Sequence, residues 1–219
     1  MPMTASDRGP LRRFIVLEGG DGAGTTTQLG LIAGALERAG AAHWTTSEPT
    51  EAPEGLLIRR ILSGELRRDP GTLARLFAAD RNEHLRGAGG ILERLSTGET
   101  VVCDRYVLSS LAYQGVDCGP ELPAELNADF PLPELLFFFD LPPAQSLSRL
   151  GARKRLDIFE DLPFQEKVGA AYRAALASFE GSGMKIVRID ASLSVGEVNR
   201  KILDAIGAAI GLSLAGDVE

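Results

Sequence analysis

The sequence predicts an α/β fold built on a parallel sheet with helices on both faces. Three observations carry that expectation. A short β-branched apolar run, Phe14 to Leu17, passes through a glycine-rich turn into a helical stretch starting near Thr25. Apolar runs of strand length then alternate with helical periodicity to the end of the chain, as crossover helices between parallel strands require. No repeat, low-complexity tract or linker interrupts the 219 residues, so one well-buried domain is expected.

In chain order, the first helix continues to Arg38, with Leu29, Ile32, Ala33 and Leu36 on its apolar stripe and Gly40 as its stop. Ala42 to Thr46 is a second strand, followed by the loop Ser47-Glu48-Pro49-Thr50. Leu56 to Leu62 is helical, and Asp69-Pro70 starts another helix, an N-cap acid ahead of a proline at the first position. That helix carries Leu73, Leu76, Phe77, Asp80, Arg81 and His84. A short helix spans Ile91 to Leu95 and stops before Gly98. Thr100 to Cys103 is the third strand, with Asp104-Arg105-Tyr106 at its carboxyl end and a helix from Leu108 to Gln114. Leu135 to Phe139 is the fourth strand, helices follow at Ala144 to Leu150 and Pro163 to Phe179, and Lys185 to Ile189 is the last strand. Ser194 and Glu197 have capping-box spacing for a final helix reaching about Leu212.

Composition narrows the function. Apolar residues make up 44% and charged ones 24%, an ordinary globular balance. A formal net charge of −7 argues against general affinity for nucleic acid or membrane surfaces, while leaving room for a local basic pocket. Cys103 and Cys118 show no metal or C-x-x-C spacing, and a reducing cytoplasmic setting is the simpler expectation. No apolar stretch reaches membrane-spanning length, and residues 1–11 are expected to be a loose tail before a domain over 12–214.

The spacing Gly19-x4-Gly24-Thr25-Thr26 fits the phosphate-binding pattern G-x4-G-K-[ST] except at the lysine, where Thr25 stands. Between a strand and a helix, such a loop lets backbone N–H groups wrap a phosphate at a helix N-terminus. In a parallel sheet, ligands collect outside the carboxyl ends of the strands. The glycine loop, Ser47-Glu48-Pro49, Asp104-Arg105 and Asp140 all fall at such ends, so they can converge on one cleft.

From Phe14 to Ile206 the chain resembles the thymidylate kinases (dTMP kinases). FIVLEGGDGAGTTTQ is similar to their P-loop, LFAADRNEHL to their thymine-binding helix, and VVCDRYVLSSLAYQG to their DRY segment. RLGARKRLDIFE, at about 149–161, resembles their LID. The resemblance implies a P-loop NTPase three-layer α/β/α sandwich with a five-stranded parallel sheet, usually a homodimer. It implies transfer of the ATP γ-phosphoryl group to dTMP with Mg²⁺, a reaction that rests on positioning and charge neutralisation.

Site residues follow from the same resemblance. Gly19, Gly20, Asp21, Gly22, Ala23, Gly24, Thr25, Thr26 and Thr27 would cradle ATP. Thr26 would reach the metal, or else cap the helix; Asp104 would act on the metal through water, or else pair with Arg105. Asp21 matches the acid that contacts the dTMP sugar, and its bland alternative is complementation of the helix dipole. Arg105 would clamp the acceptor phosphate with its planar fork. Phe77 would stack on thymine and Arg81 bond its O4 edge, while Ser110, Tyr113 and Gln114 match base and sugar contacts, with Tyr113 disfavouring a ribose hydroxyl. Gln165 resembles a further substrate position, and His43, Trp44, His84 and Tyr172 are expected to be structural. With Thr25 in place of lysine, compensating charge is expected from Arg149, Arg153, Lys154 and Arg155, and Arg153 and Arg155 are candidate catalytic residues. A kinase for dUMP or UMP, and a catalytically weak nucleotide-binding relative, stay open as alternatives.

Overall fold

The computed structural model describes residues 9–150 and 162–214. Its sheet has five parallel strands in the order β2-β3-β1-β4-β5: β1 Leu11–Gly19, β2 His43–Ser47, β3 Thr100–Asp104, β4 Pro133–Asp140 and β5 Lys185–Asp190. The helices are α1 Thr25–Arg38, α2 Pro53–Leu62, α3 Pro70–Arg86, α4 Ile91–Ser96, α5 Val107–Cys118, α6 Glu121–Asn127, α7 Pro143–Leu150, α8 Leu162–Ser178 and α9 Val195–Ile210.

Alternation along β1 divides the core into two layers. Phe14 and Val16 point to the side covered by α2, α3, α5 and α8, where they meet Tyr106, Leu108, Leu136 and Tyr172. Ile15 and Leu17 point to the opposite side, against Ile32 and Leu36 of α1 and Ile202 and Ile206 of α9. Both faces of the sheet are thereby covered, as expected of near-continuous apolar strands.

Topology fixes where ligands go. The chain leaves β1 toward β2 on one side and returns through β3 to reach β4 on the other. β1 and β3, neighbours in the sheet, are therefore the strands whose following segments part in opposite directions. Leu17 stands level with Asp104, so the turn after β1 and the turn after β3 open side by side at the carboxyl edge.

Most predicted elements appear with ends moved by a few residues. α2 begins at Pro53 rather than Leu56, because Pro53 takes the first helical position. α6 is an addition to the expected elements: its seven residues, ELPAELN, carry an internal proline and too few turns for periodicity to register. Ser194 and Glu197 form the capping box at the start of α9.

Candidate active site

The loop from β1 into α1 starts where backbone crowds backbone. A Cβ on Gly19 would stand 3.0 Å from Cβ of Phe139, so β1 and β4 could not keep this spacing with a larger residue. Gly24 is the N-cap of α1 in the left-handed conformation (φ 97°) and supplies no side-chain cap. The first amides of α1 are thus left to a ligand, with the positive end of the helix dipole behind them. A cavity of about 630 Å³ lies over this turn, lined by Gly22, Ala23, Gly24, Thr25, Thr26, Thr27 and Gln28 on one wall. Arg149, Ala191, Leu193, Ser194, Val195 and Val198 form the other.

A second cavity of about 480 Å³ adjoins it, lined by Ser47, Glu48, Pro49, Arg59, Leu62, Phe77, Ser109, Tyr113 and Gln114. Asp21, Thr26, Asp104 and Arg105 stand on its wall, and three of these four, Asp21, Thr26 and Arg105, line the first cavity too.

Arg105 is the centre of this junction. It is a non-glycine residue with φ 72°, a left-handed backbone that strains an L-residue. Its N–H donates to the carbonyl of Leu17 at 2.8 Å, which holds the turn against β1. Its Nη2 donates to Asp21 Oδ1 at 2.6 Å, its Nη1 to the Gly19 carbonyl at 3.1 Å, and the guanidinium lies 5.3 Å from the centre of the Tyr113 ring. Burial works against its charge, but Tyr113, Asp21, Tyr172 and Asp104 together more than offset this and push its pKa up. Asp21 also accepts from the Tyr113 hydroxyl at 2.8 Å and from Gln165 Nε2 at 3.0 Å.

Beneath the turn sits Glu18, fully buried. Its carboxylate accepts from the N–H groups of Tyr106 and Ser109 at 2.9 and 3.2 Å, from the Ser109 hydroxyl at 2.6 Å, and from Tyr172 at 3.2 Å. Burial raises its pKa, with Ser109 and Arg105 pulling the other way. Tyr172 additionally bonds the Gly19 carbonyl and approaches Arg105, so it belongs to the support of the junction and not only to the core.

Thr26 donates its hydroxyl to Asp104 Oδ2 at 2.8 Å, rather than capping α1. Asp104 is 6% exposed and does not pair with Arg105, whose partner is Asp21; among the described residues its Oδ1 has no hydrogen-bond partner. A buried carboxylate oxygen left open beside a hydroxyl suits a hard divalent cation.

On α3, Phe77 reaches the second cavity, but Arg81, one turn on, does not line it and is 1% exposed. Its donors all go to protein: Glu48 takes Nε and Nη2, Tyr106 C=O takes Nη2, and Ser110 and Asn127 take Nη1. Ser110 is consequently buried behind the wall as well. Glu48 also bonds His84 Nδ1 at 3.1 Å, so His84 is part of the wall that holds Arg81. Gln114 does line the cavity, and among the described residues its buried Oε1 has no hydrogen-bond partner. Arg153, Lys154 and Arg155 lie outside the described residues.

Sequence reasoning missed Glu18, Arg59 and Asn127 as parts of this arrangement. Glu18 follows an apolar run and has no spacing motif, whereas Arg59 shows only as one charge of a helix.

A family model described as thymidylate kinase matches residues 17–202. A protein of Treponema pallidum (strain Nichols) is 42% identical over 199 residues, covering 88% of this chain and 94% of its own length. A thymidylate kinase of Synechococcus sp. is 37% identical over 211 residues, 93% and 98% of the two chains, and one of Caldicellulosiruptor saccharolyticus is 36% identical over 203, 89% and 95%. With the parallel sheet, the phosphate loop and matches of this length in agreement, the chain belongs to the thymidylate kinase family.

Proposed function

We propose that this ATP-dependent nucleoside monophosphate kinase holds dTMP in the cavity between α2, α3 and α5. ATP lies across the loop 19–27, and the γ-phosphoryl group passes to the 5′-phosphate of dTMP at Arg105. Membership in the family supports the reaction. The observation that supports the placement is that Asp21, Thr26 and Arg105 line both cavities, so the triphosphate of ATP from one and the single phosphate of dTMP from the other can meet there.

The fork of Arg105, anchored by Asp21 and Gly19, holds the acceptor phosphate and neutralises its charge. Phe77 offers a ring face to the base, and the open Oε1 of Gln114 accepts from a ring N–H. Arg81 sets the wall behind the base, and it reaches the O4 edge only by exchanging one of its protein partners. Tyr113, fixed by Asp21, fills the space a ribose 2′-hydroxyl would need. The adenosine end of ATP rests against Arg149, Ala191, Leu193 and Val195. Thr26 and Asp104 would hold Mg²⁺, whose charge screens the β- and γ-phosphate oxygens when bound. Arg149 brings a cation to the cavity that Thr25 leaves without a lysine, and Arg153 and Arg155 are proposed to join it. A cytoplasmic homodimer goes with this reading. Among the described residues no helix is long and apolar enough to cross a membrane.

Steady-state ADP formation with Mg-ATP against dTMP, dUMP, UMP and dGMP tests the proposal. Turnover selective for dTMP is expected. Equal turnover of UMP would overturn the role given to Tyr113, and binding of dTMP without turnover would sink the catalytic reading.

A further inference from the structure

The two walls of the donor cavity are joined by a buried pair of amides. Gln28, the fourth residue of α1, and Asn199, in the second turn of α9, are 3% and 2% exposed. Asn199 Nδ2 donates to Gln28 Oε1 at 2.9 Å, and Gln28 Nε2 donates to the backbone carbonyl of Val195 at 2.9 Å. A carbonyl can only accept, so Val195 fixes which end of the Gln28 amide faces it and which end faces Asn199. Gln28 and Val195 both line the donor cavity, one on the phosphate-loop wall and one on the wall of residues 191–198.

A bond of this kind costs two desolvated amides, and apolar contact between α1 and α9 is already supplied by Ile32, Leu36, Ile202 and Ile206. What it adds is direction. An apolar contact tolerates sliding, whereas the Gln28–Val195 bond sets the distance between the phosphate loop and the residues facing the far end of the nucleotide.

We propose that Gln28 and Asn199 are positioning residues for the donor nucleotide, holding the wall at Val195 at a fixed spacing from the phosphate loop. The inference rests on the donor cavity being the ATP site. Its effect falls on ATP and leaves dTMP aside, since neither residue lines the acceptor cavity.

The test uses the intact protein as Gln28→Leu, Asn199→Leu and the double variant, each read by thermal melting and by KM for Mg-ATP and dTMP. Each single change strands a buried amide and lowers stability, while the double change removes both and recovers most of it. KM for Mg-ATP is expected to rise about tenfold in the singles and stay raised in the double, with KM for dTMP unmoved. A double variant whose KM for Mg-ATP returns to that of the parent would reduce the pair to packing and overturn the proposal. So would an equal rise for dTMP. Thr26→Ala serves as the control for the site itself. If it leaves use of Mg-ATP intact, the donor-site reading fails; if it impairs that use while Gln28→Leu does not, only the positioning role fails.

Discussion

Arg105 combines a strained left-handed backbone with a guanidinium held by Asp21 and Gly19, and the two properties separate by mutation. Arg105→Ala and Arg105→Gly both remove the phosphate clamp and should lower kcat/KM for dTMP by at least about a hundredfold. The glycine variant should nonetheless be the more stable of the two by roughly 1 kcal/mol, because φ 72° suits glycine and not alanine. Urea denaturation of the pair measures that difference, and equal midpoints would mean the left-handed turn stores no strain. Glu18 makes a second prediction at this scale. Burial lifts its pKa above the ordinary value of 4.5, so the native state holds this proton at pH values where the unfolded chain has released it. Its contribution to stability therefore declines as pH rises from about 4.5 through the raised pKa. Glu18→Gln, which keeps an acceptor for Tyr106 and Ser109, should flatten that decline in a pH series of unfolding curves. Residues with a motif around them, such as Thr26, Asp104 and Arg105, were legible in the sequence as site candidates. Glu18 was not, because only the register of β1 against β3 brings it under the turn.

α6 shows what an element without a sequence signature can contribute. Its last residue, Asn127, bonds Arg81 from one side while its amide nitrogen holds the Pro123 carbonyl at 2.8 Å. Asn127→Ala leaves one guanidinium N–H of a buried arginine unpaired and should cost about 1–3 kcal/mol of stability, measured by thermal or urea unfolding. No change in stability would mean that another acceptor replaces it. Long elements with a strong period were readable, α1, α3 and α9 among them. The Asp69 cap of α3 also forms, accepting from the Thr72 N–H at 3.1 Å. The spacing of Phe77 and Arg81 gave the correct face of α3 but not the depth, which depends on Glu48, Ser110 and Asn127 closing over the arginine.

Across the whole molecule, charge is arranged against its own average. The chain carries a formal net charge of −7, yet Arg59, Arg105 and Arg149 stand on the walls of the two cavities. Arg149→Ala should raise KM for Mg-ATP several-fold while leaving KM for dTMP close to that of the parent. Thr25→Lys should improve kcat by less than about tenfold if cations from elsewhere in the chain already serve the donor phosphates. A larger gain would show the lysine role to be unfilled. The parallel sheet and the gathering of ligands at its carboxyl edge followed from alternating elements and the rule for such sheets, whereas the strand order and the side-by-side opening of β1 and β3 came only with the structure. Which walls touch was not legible, since the Gln28–Asn199 bond joins positions 171 residues apart.

Thr25 has a consequence for chemical labelling. Nucleotide reagents that acylate an amine beside the terminal phosphates depend on a lysine there, and no lysine lines the donor cavity among the described residues. At position 25 such a reagent meets a hydroxyl, a far weaker nucleophile without an adjacent base. Labelling at position 25 itself would then be missing from any proteome-wide profile built on those reagents, however abundant or active the enzyme is. Thr25→Lys would restore the missing amine, and with it the signal.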